Sequence, residues 1–291
     1  MKLLKKLMIS IIVLVVLIIG AFFGGVYYLN KKYDIDTLKT LSSLKKLSEP
    51  VEEKDVVTNP YTDADKESLE KNFETSFSGF ISSDKDGIHI NPDKVLEGER
   101  KNVFITDRQL AAFASEALEE KIGSKIQIAD YTFPLQILEL NIADMTEKNA
   151  TISTVVRLDV SELKTSFTQF PLSLFGKYIP TYFYLNVAFE NVHLDDAFSY
   201  RVNPGAVKIN SLTDTESSDL FVTIGKFVSF PTAEECSKQV GSTFMDNLIG
   251  SEENLGAIRQ LKQYGAKDYA FVEHEKQGCL AVICDPLSFA I

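Results

Sequence analysis

LELNIADMTEKNATISTVVRLDV, residues 138–160, reads as two strands and the turn between them. Leu138, Leu140 and Ile142 alternate with polar neighbours, the spacing of a strand with one dry face, because successive side chains point to opposite sides. Met145–Asn149 supplies the turn. Ala150, Ile152, Val156, Leu158 and Val160 then share one face, against Thr151, Ser153, Arg157 and Asp159 on the other. The pair is expected to be an antiparallel hairpin.

Strand patterning continues on both sides of it. Ile126 and Ile128 alternate upstream, and Phe183, Leu185, Val187 and Phe189 repeat at period two downstream. Tyr200–Val202 and Val207–Ile209 are expected to be two further strands joined through Asn203-Pro204-Gly205. A helix is predicted ahead of the sheet. Thr106 followed by Gln109 is a capping-box pattern, and Leu110, Phe113, Ala114, Ala117, Leu118 and Ile122 follow as one apolar stripe. Val103-Phe104-Ile105 is a short strand before it. Residues 232–249 and Glu252–Tyr264 are helix-compatible, and Tyr269–Val272 with Cys279–Cys284 reads as a closing hairpin around Glu275–Gly278. The fold class is α+β: a curved antiparallel sheet, one main packed helix and a helical and hairpin C-terminal part over residues 101–291.

The chain's start has a different character. Residues 7–29, LMISIIVLVVLIIGAFFGGVYYL, carry no charge and are flanked by Lys2, Lys5, Lys6, Lys31 and Lys32. At ~1.5 Å per residue a helix of this length spans roughly 34 Å, enough for a bilayer core. Tyr27 and Tyr28 suit an aromatic belt at the far interface. No A-x-A-like cleavage site follows, so the expectation is an uncleaved single-pass signal-anchor with residues 1–6 as a cytoplasmic basic head. The body is expected outside the cell membrane, in the cell envelope. Gly20 and Gly24 form a G-x-x-x-G that could bring two spans together as a homodimer, although glycine is common in membrane helices.

Residues 30–100 read as a juxtamembrane helix and an acidic linker. IDTLKTLSSLKKL, residues 35–47, suits a short surface helix; SEPVEEKDVVTNPYTDADKES, residues 48–68, is polar and broken by Pro50 and Pro60. Asp86-Gly87 is expected to turn a small hairpin between Phe80-Ile81 and Ile88–Ile90.

Composition narrows the function. The 291 residues hold 41 acids and 30 bases, a net charge of −11, which disfavours nucleic acid as a partner. Residues 1–32 contribute +5 and the rest −16, so an acidic body hangs from a basic anchor. No nucleophile elbow, phosphate loop or dinucleotide fingerprint occurs, and His89, His193 and His274 stand apart. The acid pairs Asp195-Asp196 and Glu234-Glu235 read as ordinary surface carboxylates. The chain is therefore read as having no enzyme activity, no metal and no cofactor. Cys236, Cys279 and Cys284 leave a disulfide open, with buried free thiols as the equal alternative; Cys279 and Cys284 in one strand are too far apart to bridge.

Eight aromatics fall between Phe167 and Phe189. They either fill the core or line an apolar groove between the sheet and the 107–121 helix, fit for a lipid tail. The groove candidates are Leu110, Phe113, Leu118, Phe170, Phe175, Tyr182, Tyr184 and Phe189.

The order of elements resembles the YpmS-type anchored proteins of Gram-positive bacteria. The likeness rests on NVFITDRQLAAFASEAL (102–118), FGKYIPTYFYLNVAF (175–189) and AVKINSLT (206–213), and covers about residues 100–225; the tail from about 230, with its three cysteines, departs from it. The resemblance implies an uncharacterised membrane-anchored extracytoplasmic domain related to tubular lipid-binding folds, and carries over no catalytic residue. Two functions follow as expectations: a lipid-binding domain with an open groove, or a scaffolding partner in an envelope protein complex with a filled core. An anchored envelope hydrolase ranks third.

Overall fold

In the computed structural model the 138–160 hairpin is the middle of a five-stranded antiparallel sheet. The structure describes residues 17, 20–76, 81–84, 87–90, 101–128, 131–166, 173–194, 200–227, 231–248 and 266–284. The sheet order follows the chain: β4 (Lys125–Ile128), β5 (Tyr131–Thr146), β6 (Asn149–Asp159), β7 (Tyr182–Leu194) and β8 (Tyr200–Ile209). Thr146 pairs with Asn149, so the turn falls where expected.

The predicted dry face is corrected at one residue. Ile137 pairs with Val156 and Glu139 with Val155, so the ladder steps over Leu138 in a β-bulge. The alternation changes phase there. Ile137, Leu140 and Ile142 face the main core, while Leu138 turns outward to Val57 and Val155. A second correction concerns residues 200–209. They form one continuous strand through Asn203-Pro204-Gly205. β8 is an edge strand, where a proline costs no ladder bond, and bulges against β7 absorb the irregularity.

The inner face is covered by two long helices. α5 (Asp107–Ile122) starts at Thr106 with the reciprocal capping box and ends at Gly123, in the left-handed conformation at φ 61°. Its Leu110, Ala111, Ala114 and Leu118 are buried. α9 (Ala233–Leu248) buries Cys236, Val240, Phe244 and Met245. Gly241 lets it approach β7: a Cβ there would stand 2.6 Å from the Phe189 ring. Between them in the chain lie the short helices α6 (Ser161–Ser166) and α7 (Ser173–Gly176), then α8 (Asp214–Gly225).

A three-stranded sheet closes one end, in the order β3 (Lys101–Thr106), β10 (Gln277–Cys284), β9 (Ala266–His274). The expected closing hairpin turns at Glu275 and Lys276, both at positive φ (51° and 67°). It docks on the first sheet where Phe271 N–H donates to the Glu147 carbonyl (3.0 Å), and Gly278 leaves room for the Ile142 backbone. The small hairpin β1 (Ile81–Asp84) and β2 (Gly87–Ile90) also forms. Glu252–Tyr264 lies outside the described residues.

The segment expected to be a linker is packed onto the domain. Residues 20–33 form helix α1, followed by α2 (Thr37–Leu47), α3 (Glu53–Val56) and α4 (Asp63–Ser76). Ile35, Leu44, Leu47 and Leu69 belong to the main core cluster. Tyr61 Oη donates to Ser115 Oγ (2.9 Å), Lys66 pairs with Glu116 (2.6 Å) and Arg108 with Asp65 (2.7 Å), tying the segment to α5. The proline-broken composition that suggested a tether instead makes the corners of a strap.

Among the described residues no helix is long and apolar enough to cross a membrane. Most of the first half of the predicted span, residues 7–16, 18 and 19, lies outside them. Within the described part, Leu17, Phe22, Phe23, Tyr27 and Tyr28 are exposed.

Candidate functional site

The end of α1 is fixed to the domain by a compact set of contacts. Asp34 takes a left-handed φ of 52° and turns the chain out of α1. Asp36 then caps α2, its Oδ1 accepting from Lys39 N–H (3.0 Å). Thr37 N–H donates back to Asn30 Oδ1 (2.9 Å), which pins the corner between the two helices. Leu29 is buried, and the Tyr33 ring lies 4.9 Å from the Phe227 ring.

α8 runs beside α2 and completes the junction. Thr213 and Glu216 form its capping box. Ion pairs then join the two helices: Lys39 to Asp219 (2.5 Å) and Lys46 to Glu216 (2.7 Å). Lys226 donates to the backbone carbonyl and the carboxylate of Asp34. The Lys46 ammonium, with the Thr213 donors, pulls the Glu216 carboxyl down to about 2.

Asp34, Asp36, Lys39, Thr40, Asp219 and Val222 help to line a pocket of about 190 Å³ at this junction. At ~30 Å³ per water that is room for roughly six, enough for a small polar group but below the usual ligand cavity. Its walls mix carboxylates, ammonium groups and hydroxyls, and none of the lining residues is a Ser–His or Cys–His pair. Leu38 on α2 and Val222 on α8 stand 48% and 47% exposed beside it.

A second polar cluster lies under the strap. Glu139, nearly buried at the bulge, accepts from Thr58 N–H (2.6 Å), Thr58 Oγ1 (2.8 Å) and Asn59 N–H (3.1 Å). Asp107 is buried nearby, and desolvation raises its pKa, helped by the charges of Glu139 and Asp65 and opposed by the Arg108 backbone N–H. Every polar atom named here points to a neighbour in the chain, so the cluster works as a clamp.

The six groove candidates whose side chains are described do not converge on an opening. Leu110, Leu118 and Phe189 are buried in the main core and Phe113 packs against it. Tyr182 and Tyr184 sit on the opposite face of β7, where Tyr182 is exposed with the Arg157 guanidinium 5.3 Å over its ring. Phe170 and the Phe175 side chain lie outside the described residues. Val240 and Phe244 of α9, Leu118 of α5 and Ile137 and Val156 of the sheet line a cavity of about 10 Å³. That is room for about one water and far below what a lipid tail needs.

Cys236 and Cys279 are free and buried. Of the two alternatives left open, both are thus buried free thiols; the Cys284 side chain lies outside the described residues. Burial pushes the Cys236 thiol up to about 12 and the Cys279 thiol up to about 11. His274 stacks on Phe104 at 4.1 Å and His193 bonds Asn149 at 3.0 Å; the His89 side chain is outside the described residues. Glu235 caps α9 through Thr232, so its pairing with Glu234 is incidental. Gly20 and Gly24 lie on α1, where an added Cβ would meet nothing within 4 Å outside the helix itself. Among the described residues no three His, Cys, Asp or Glu side chains gather to hold a metal.

The junction went unread in the sequence because its pairs lie 170–192 residues apart. The local half was visible: Thr213-x-x-Glu216 and Thr232-x-x-Glu235 are capping boxes in plain sequence. No protein-family model, no curated protein and no solved structure matches the chain.

Proposed function

We propose that the chain is a single-pass membrane-anchored scaffolding domain of the cell envelope, which binds a protein partner on its outer surface. The observation that carries this reading is the small space between α5, α9 and the sheet: among the described residues Leu118, Val156, Val240 and Phe244 line a cavity of only about 10 Å³, too little for a lipid tail. The open face of the sheet supports it too. Asn141, Asn186, Glu190 and Lys208 are exposed there, while the strap packs on Leu138 and Val155. A flat, mixed-charge surface on a rigid sheet suits a polar protein interface. The uncharged residues 7–29 supply the anchor in this reading.

Photocrosslinkers placed at Asn141 and Asn186 in the full chain, in intact cells, test it. A discrete protein adduct from both positions, absent when the probe sits at Glu119 on the helical side, is expected. Adducts with lipid alone, or a fatty acid retained through purification and detected by mass spectrometry, would return the lipid-binding reading. Protease protection of the body in unbroken cells would reverse the topology.

A further inference from the structure

We infer that the edge formed by α2 and α8 rests on the membrane interface beside α1, with Leu38 and Val222 inserted among the lipid headgroups. This rests on the anchor reading of residues 7–29 and adds a docking surface to it.

Three observations lead there. The first is the distribution of exposed apolar side chains. Among the described residues, the large exposed hydrophobics are Leu17, Phe22, Phe23, Tyr27 and Tyr28 on α1, Leu38 and Val222 on this edge, and Tyr182. All but Tyr182 therefore belong to α1 or to the two helices docked at its end. The second is rigidity. Asn30 to Thr37, Tyr33 to Phe227 and Asp34 to Lys226 hold α1 against α2 and α8, with no free tether between anchor and domain. Leu38 follows Tyr28, the end of the aromatic belt, by only ten residues. A bilayer that surrounds α1 up to its tyrosines must meet this edge first.

Charge is the third. The body as a whole is strongly acidic, which argues against contact with anionic lipid. Residues 31–48 and 214–226 are different: together they hold six lysines and five acids. The docked edge is thus free of the repulsion that the rest of the domain would meet. The junction pocket, lined by Lys39, Lys226, Asp34 and Asp219 together with Val222, belongs to the same edge.

The chain contains no tryptophan, so one introduced indole reports a single position. Four full-length variants are needed: Leu38→Trp, Val222→Trp, Tyr182→Trp and Phe23→Trp, all at exposed sites. Each is reconstituted into phosphatidylcholine vesicles whose acyl chains are brominated near the glycerol end. The expected result is loss of fluorescence at positions 38 and 222, as at 23, and none at 182. Quenching at 23 without quenching at 38 and 222 overturns the docking while the anchor stands. No quenching at 23 overturns the anchor, and the docking with it. Equal quenching at 182 means the domain meets lipid without a preferred face, which also overturns the inference.

Discussion

Glu139→Ala removes the group that holds residues 57–59 on the sheet. The carboxylate accepts three hydrogen bonds, from Thr58 N–H, Thr58 Oγ1 and Asn59 N–H, at 2.6–3.1 Å. A hydrogen bond to a charged group contributes about 1.5–3 kcal/mol net, so the three sum to roughly 4–9 kcal/mol. Releasing Thr58 and Asn59 returns about 1–2 kcal/mol of backbone entropy per residue, which offsets part of that. The local loss is then about 2–5 kcal/mol, a factor of roughly 30 to 4000 at 1.4 kcal/mol per decade. Hydrogen exchange reads it directly, because local opening sets amide protection. The Thr58 and Asn59 amides should exchange faster by that factor, while amides paired across β6 and β7 change little. Glu139→Gln keeps the shape but turns an amide donor or a weaker acceptor toward the two N–H groups, and should fall between. Unchanged protection at Thr58 and Asn59 in the alanine variant would refute the clamp and restore the linker.

The remaining predictions concern packing, the thiols and acid stability. Gly241→Ala should destabilise by about 1–3 kcal/mol, since the new methyl meets the buried Phe189 ring; thermal melting of the double variant with Phe189→Leu should show partial recovery, and simple additivity would count against the contact. Cys236 and Cys279 should resist a thiol reagent at pH 8 in the native protein, being buried with thiols near 12 and 11. Denatured protein should titrate three thiols, and peptide mapping of labelled sites gives the check. Glu216 has its carboxyl lowered from 4.5 to about 2 by Lys46 and Thr213, so its contribution is fully present above pH 4.5 and is lost as pH falls through about 2. Both partners of the pair are partly exposed, at 38% and 30%, which limits the contribution to about 0.5–1 kcal/mol. Lys46→Ala should raise the Glu216 pKa toward 4.5 by NMR titration, and no movement would break the assignment.

Much of the domain was legible because its signals are local. The Thr106–Gln109 box, the apolar stripe of α5, the β5–β6 hairpin and the Glu275–Gly278 turn each depend on residues within a few positions of one another, and each appears as expected. The misreadings have a common cause. The bulge at Leu138 and the unbroken β8 depend on what the neighbouring strand does, and no period-two pattern carries that. The aromatic cluster gave the groove candidates, yet a sequence pattern cannot say whether another helix fills the space. Val240 and Phe244, some fifty residues beyond Phe189, join the core there and line a cavity of only about 10 Å³.

The sequence by itself determined the uncharged stretch at 7–29, the α+β class and the split between a basic start and an acidic body. These follow from periodicity, capping and charge, all readable over short windows. Only the tertiary structure decided that Ile35, Leu44, Leu47 and Leu69 belong to the core and that α1 is fastened to α2 and α8. The polar, proline-broken stretch 48–68 has a linker's composition, and it becomes structure only because Glu139, Ser115, Glu116 and Arg108 wait on the surface beneath it. Packing is decided by partners far away in the chain, and a local pattern holds no record of them.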